Sequence, residues 1–251
     1  VTLEFDIEWR TAALTAILLP LLIALGFWQL DREAEKRALE SRYASRSGLA
    51  PAPLFELPEA PAELAYRPVL LRGEFVRDEY LLLDNRLRDG RFGYEVIALF
   101  RLEDAPGYAL VNRGWVAGDS ARRSLPRVET PAPGAVIEGQ VYLPPDAPFL
   151  LAEQELAVDG WPRVIQAVEM DKLAPALAER LGAPVYPHLI RLNPGEASAL
   201  AADWPVVNLS PQTHRGYAVQ WFTMATVLVL FFVLRSSNLW SLLRHRSSRG
   251  R

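Results

Sequence analysis

The sequence predicts a membrane protein of the α+β class, with N- and C-terminal transmembrane helices flanking a β-rich antiparallel extramembrane domain, barrel-like or a curled sheet. Three observations carry that expectation. Two apolar runs, Thr11 to Leu30 and Tyr217 to Leu234, bracket a long polar middle. From Tyr66 onward that middle becomes short runs of Val, Leu, Tyr and Phe. Gly and Asp-Gly signals separate these runs, the pattern of strands joined by tight turns.

The first run is interrupted only by Pro20 and the weakly polar Thr11, Thr15 and Gln29. Its length of about 20 residues suits a hydrocarbon core roughly 30 Å thick. Phe27-Trp28-Gln29-Leu30-Asp31 lacks a small-x-small cleavage pattern, so the run reads as a retained anchor. Pro20 is expected to bend it, since proline removes a backbone donor. Asp31 to Ser47, rich in Ala, Glu, Lys and Arg, should continue or restart the helix. Pro51, Pro53, Pro58 and Pro61 then predict an extended linker free of helix.

Strands are expected near Arg67 to Val76, Tyr80 to Arg86, Phe92 to Leu102, Tyr108 to Val116, Val136 to Leu143, Trp161 to Val168 and Val185 to Leu192. Asp89-Gly90 is a favoured hairpin turn. Ser120 to Pro133 reads as a loop, and Met170 to Leu181 has helical spacing. The second span carries Gln220 and Thr223 near its start and is packed with Val, Leu and Phe beyond Thr226.

Charge sets the orientation. Arg235, Arg244, His245, Arg246, Arg249 and Arg251 follow the second run without an acid, which predicts a cytoplasmic C-terminus. Two spans then put the N-terminus there too, with Arg10 at its mouth. The expected organisation is a cytoplasmic 1–10, a span at 11–30, a helical extension and linker at 31–65, a periplasmic domain at 66–213, a span at 214–234 and a basic tail at 235–251. Arg32, Lys36, Arg37 and Arg42 sit on the outer side of that scheme, interleaved with Asp31, Glu33, Glu35 and Glu40. The expected location is a bacterial inner membrane.

Between the spans, 27 acidic residues face 21 basic ones, which disfavours nucleic acid as a partner. The chain has no cysteine, excluding thiol redox chemistry, Cys-ligated copper, iron–sulfur clusters and covalently attached c-type haem. His188, His214 and His245 are too scattered for an all-His zinc site. The sequence also lacks the G-x-S-x-G, H-E-x-x-H and P-loop signatures, so an ordinary hydrolase or nucleotide enzyme is disfavoured.

Several short motifs fall in one order along the chain. Gly26-Phe27-Trp28-Gln29-Leu30-Asp31-Arg32 ends the first span, with Lys36 one turn on. Tyr66, Val69, Gly73 and Phe75 follow, then Asn85-Arg86 leading to Gly93-Tyr94, and Val111-Asn112-Arg113-Gly114-Trp115-Val116. His214-Arg215-Gly216-Tyr217-Ala218 leads to Trp221-Phe222 in the second span. This order resembles the Surf1/Shy1 family of cytochrome c oxidase assembly factors. The resemblance implies a non-enzymatic accessory protein that works on the oxidase's largest subunit, subunit I, beside other assembly factors. It further implies haem a handling, with His214 as the iron ligand. Here Pro211-Gln212-Thr213 stands where an Asn before the His is often expected.

Independently of the resemblance, His214 is the best haem-ligand candidate, because neutral imidazole is a standard axial ligand. A helix starting near it places Ala218, Trp221 and Ala225 on its face, a slot for a flat macrocycle. Gly26, Trp28 and Gln29 lie at the same membrane level on the other span. Tyr217 completes the candidate set, and Arg215, Arg32 and Arg113 are candidates for haem propionates. Against this, Trp28, Tyr217 and Trp221 are aromatics that any span places at its interfaces, and an edge His is commonly a polar anchor. Gly73 and Gly93 read as backbone-geometry positions, and Gly114-Trp115 as a strand end that fills the core. Three functions stay open: a haem a chaperone, a haem-independent scaffold for an oxidase intermediate, and a membrane-tethered periplasmic enzyme or sensor.

Overall fold

In a computed structural model, the described residues are 4–58, 60–144, 160–205 and 210–238. They divide into two units, one of residues 1–42 with 205–251 and the other of residues 43–204.

The first unit is built on two long helices. Helix α1 (Trp9–Ser47) runs unbroken through Pro20, and α4 (Pro211–Arg235) begins three residues before the predicted span start at His214. Pro211 explains the earlier start, because proline at the first helical position supplies a helical φ and lacks only a donor that would be unpaired anyway. Both helices are long and apolar enough to cross a membrane. Their large apolar side chains face outward, Ile17 at 68% and Phe231 at 59% exposure, an arrangement suited to lipid. The hydroxyls of Thr223 and Thr226 donate to the carbonyls of Val219 and Phe222 one turn back, so neither faces hydrocarbon unpaired.

Buried positions on α1 are Gly26, Gln29 and Glu33, and on α4 Pro211, Ala218 and Ala225. Their spacing follows the seam of a packed helix pair. Beyond the helix ends the terminal segments pair. Phe5 bridges Ser237, the Asp6 amide donates to the Ser236 carbonyl (2.9 Å), and the Glu4 amide donates to Asn238 Oδ1 (3.0 Å). Residues 4–6 and 236–238 therefore lie at the same end of the pair. The basic tail beyond residue 238 is outside the described residues.

In the second unit, the Pro-rich stretch is extended only in part. Strand β1 (Ala52–Pro53) is followed by a 3-10 turn at Leu54–Glu56 and a short helix, α2 (Pro61–Leu64). This corrects the expectation of a helix-free linker: Pro61 takes the first helical position, the one place where proline favours a helix.

Strand β2 (Pro68–Arg88) merges two predicted strands into one. Phe75 faces Phe100 while Tyr80 faces Ala98, so the strand bulges between them. At the bulge, Asp78 has φ 57° and its amide donates to Thr130 Oγ1. A second irregularity follows at Asn85, with φ 58°. Such bulges bend a strand and raise its twist. Asp89 and Gly90, with φ 49° and 73°, turn the chain into β3 (Arg91–Leu102), as a two-residue hairpin requires.

Next come β4 (Tyr108–Ala117), β5 (Ala135–Tyr142), β6 (Arg163–Ile165), α3 (Met170–Leu181) and β7 (Leu189–Leu192). The helix matches its predicted bounds. Both β6 and β7 are shorter than predicted. In the latter, Pro187 interrupts the run, leaving Val185 as an isolated bridge to Tyr108.

The sheet order is β1-β2-β3-β4-β7-β5, and β5 returns to pair with Pro68–Gly73 of β2. The result is a strongly curled sheet, not an even closed barrel, because β4 and β7 meet over only Val111↔Ile190 and Asn112↔Arg191. Both faces are packed. Leu82, Val96, Ala98, Phe100, Ala109 and Val111 fill the inside of the curl. Their strand neighbours Leu81, Leu83, Ile97, Leu99 and Leu110 pack against Leu173 and Leu177 of α3. Successive side chains point to opposite faces, so β2, β3 and β4 each serve two cores.

Gly73 and Gly93 are indeed backbone positions. A Cβ at Gly73, where φ is 153°, would sit 1.9 Å from the Arg101 carbonyl oxygen, and one at Gly93 would sit 2.2 Å from that of Val116.

Candidate functional site

The predicted site residues do not all converge. The helix pair brings Gln29 and His214 together: Gln29 Oε1 lies 2.8 Å from His214 Nδ1. Gln29 is only 9% exposed, and His214 Nε2 is buried without a hydrogen-bond partner. One turn before Gln29, Gly26 packs against Phe222. A Cβ there would lie 2.6 Å from that ring. The Phe222 ring also meets Phe27 edge-on at 5.4 Å. The space predicted as a slot is used here for close packing of the two helices.

The remaining candidates lie differently. Trp28 (49%) and Tyr217 (47%) are exposed, as is Arg215, while Trp221 is half-buried. Arg32 pairs with Glu35 at 2.7 Å and sits over the Trp28 ring at 5.8 Å. Sequence reasoning missed Glu33, which is buried and pairs with Arg37 at 2.6 Å. Its signal was present, since Glu33 follows Gly26 and Gln29 at the spacing of a helix face.

Arg113 belongs to the core of the second unit. Its Nε donates to the Ser198 carbonyl (2.9 Å) and its Nη1 to that of Glu129 (3.0 Å), with the guanidinium over the Phe75 ring. Burial lowers its pKa from the ordinary arginine value. The motifs around Arg86 and Asn112 meet at a residue the sequence reading passed over, Glu95. Asn112 Nδ2 donates to Glu95 Oε2 (2.6 Å), and Arg86 Nε lies 3.4 Å from Glu95 Oε1. Asn112 Oδ1 accepts from the Gly114 amide (3.1 Å), and Trp115 Nε1 donates to the Arg86 carbonyl (2.9 Å). Trp115 is half-buried, so it braces the β2–β3 hairpin instead of filling the core. These motif residues form a scaffold whose polar groups satisfy one another.

His188, read from sequence as an ordinary packed or surface His, is half-buried edge-on to Tyr186 (5.5 Å), and burial lowers its pKa. Burial likewise pushes the Tyr186 hydroxyl up to about 12. Among the described residues no group of three or more His, Asp or Glu side chains is placed to hold a metal ion. A single axial imidazole is a different arrangement, and the donor chemistry at His214 suits it. A neutral imidazole held at Nδ1 presents its other nitrogen as the ligand, and Nε2 is the atom left without a protein partner. Access to that nitrogen needs side-chain movement, because it is covered in this arrangement.

The profile of the SURF1 family matches residues 16–226. A SURF1-like protein of Rickettsia felis is 25% identical over 252 residues, covering 92% of this chain and 99% of that one. A SURF1-like protein of Drosophila melanogaster is 31% identical over 109 residues, 37% of this chain and 36% of that protein. The cytochrome oxidase assembly protein SHY1 of Saccharomyces cerevisiae is 30% identical over 95 residues, 37% of this chain and 24% of that protein. With a family match that runs from inside the first apolar helix to inside the second, the chain belongs to the SURF1 family.

Proposed function

We propose that this chain is a membrane-anchored, non-catalytic assembly factor for haem–copper cytochrome c oxidase that holds haem a through His214 and passes it to the oxidase's largest subunit. The family, and the yeast relative's being a cytochrome oxidase assembly protein, support the assembly part. The observation that carries the haem part is the buried, unpartnered Nε2 of His214 on an imidazole whose Nδ1 is engaged by Gln29. Haem a is the cargo, and its iron accepts a neutral imidazole nitrogen as an axial ligand. His214 is the ligand, Trp221 the neighbouring aromatic wall, and Arg215, exposed beside it, the group for a propionate.

The lipid bilayer, the oxidase and its other assembly factors are the partners. The pairing of residues 4–6 with 236–238 supports both flanks of the helix pair lying on one face of the membrane, and the basic residues after the second span make that face the cytoplasmic one of a bacterial inner membrane. The central β-rich domain, expected at 66–213, is then periplasmic.

A second reading keeps the assembly role without haem, and the packing of Phe222 on Gly26 favours it. In that case the helices are an anchor and the curled sheet stabilises an oxidase intermediate. The deciding experiment is a pyridine-haemochrome spectrum of the full-length protein from cells that make haem a, beside His214→Ala at matched level. Haem a in the wild type and its loss from a folded variant supports delivery. Haem in neither leaves the scaffold alone.

A further inference from the structure

We propose that Gln29 is a positioning residue that holds His214 as a single neutral tautomer, with the proton on Nδ1 and a free lone pair on Nε2. The purpose of this lock rests on the haem reading above, whereas its existence is tested without haem.

The argument begins with the atom that faces the ring. Gln29 Oε1 lies 2.8 Å from Nδ1, and a carboxamide oxygen can only accept a hydrogen bond. With that oxygen turned toward the ring, the proton belongs on Nδ1. A neutral imidazole has one N–H, so Nε2 carries the lone pair. The surroundings make this choice durable. Gln29 is 9% exposed and Nε2 is buried with no partner, so bulk water does not reach Nε2 in this arrangement. In water the two tautomers exchange freely. Here one protein group selects between them.

The helix pair supplies the reach. Gly26 lies one turn from Gln29 on the same face, and its missing Cβ lets the Phe222 ring approach. Ala218, one turn after His214, is also buried and small. Together they allow two helices to approach closely enough for a glutamine and a histidine to meet across the seam.

The choice of an amide has a further consequence. The groups that orient metal-binding histidines are often carboxylates, which raise the basicity of the ligand. An uncharged amide fixes the same geometry with less electron donation, so the ligand is aimed but only moderately strong. That suits a protein that must release its cargo.

The test uses the full-length chain in nanodiscs with ring-15N histidine. With only three histidines in the sequence, the His214 signals are assigned by difference against His214→Ala. The expected wild-type result is one tautomer, protonated at Nδ1 and bare at Nε2. Gln29→Met, similar in size but unable to accept, should release the ring into a mixture of tautomers. Gln29→Glu, which still accepts, should restore the single one. A wild-type ring protonated at Nε2, or an unchanged tautomer in a folded Gln29→Met, overturns the proposal.

In parallel, haemin-loaded protein is mixed with excess apomyoglobin and its transfer timed. Gln29→Met should release haemin roughly tenfold faster, the usual scale for losing an outer partner of a metal ligand, and Gln29→Glu more slowly than wild type. If His214→Ala leaves transfer unchanged while the tautomer lock is intact, the haem reading falls and the lock stands. If His214→Ala abolishes haemin retention while Gln29→Met alters neither tautomer nor release, the lock falls and the haem reading stands.

Discussion

The curled sheet and the helix pair use the motif residues of this family in opposite ways. In the sheet, Arg86, Asn112, Arg113 and Trp115 are consumed by one another, by Glu95 and by backbone carbonyls. In the helix pair, Gly26 and Gln29 bring α1 against α4, and among the motif residues there His214 keeps a buried atom, Nε2, unanswered; outside the motifs, Ser236 Oγ in this unit and Ser198 Oγ in the sheet unit are also buried without a partner. A fully satisfied network stabilises and specifies a fold. A buried polar atom with no partner asks for an explanation, and a ligand is one. The same degree of sequence signature thus marks a scaffold in one region and a candidate site in the other.

The sharpest way to break the comparison is at Arg113. Arg113→Leu strands the buried Ser198 carbonyl, frees the part-buried Glu129 carbonyl and removes a guanidinium packed on Phe75. Its expected effect is a loss of roughly 3 kcal/mol, read by chemical denaturation of the full-length protein in detergent, with haem content per folded molecule unchanged. A stable variant that lost haem would move Arg113 from scaffold to site.

Gly26→Leu should have the next largest effect. Its side chain must displace the Phe222 ring, at a cost of about 1–3 kcal/mol for overpacking. It also opens the seam so that Gln29 no longer reaches His214. The chain has no cysteine, so spin labels introduced at Leu21 and Leu230 report the helix separation cleanly. An unchanged distance would show that Gly26 does not set the approach of the helices.

The smallest effect is a pH dependence within the sheet unit. Burial holds the folded-state pKa of His188 below its unfolded value of about 6.5. As pH falls through that value, the unfolded chain binds a proton that the folded one resists, so stability declines toward acid. Between pH 7.5 and pH 5.5 the melting temperature should fall less in His188→Gln than in wild type. Parallel slopes would remove His188 as the cause.

Much of the fold was legible because its causes are local. The apolar runs announced both helices. Asp89-Gly90 announced its turn, since both residues must take positive φ, and the spacing of Leu173 and Leu177 announced α3. The misreadings have equally definite causes. The bulge at Asp78 looked like a strand break because local propensity there is poor, while pairing with β3 on either side carries the strand through. Pro61 looked like a helix breaker because its effect depends on where in a helix it falls.

The sequence by itself determined that this chain has two apolar helices able to span a membrane around a β-rich middle, and it singled out His214 as the candidate ligand. Only the tertiary structure decided that Gln29 is the group that meets it, that Arg113 is not available to a ligand, and that Glu95 joins two distant motifs. Periodicity tells which face of an element is apolar. It does not tell which residue stands opposite, because the register between two helices or two strands is set by packing, as Gly26 and Phe222 set it here.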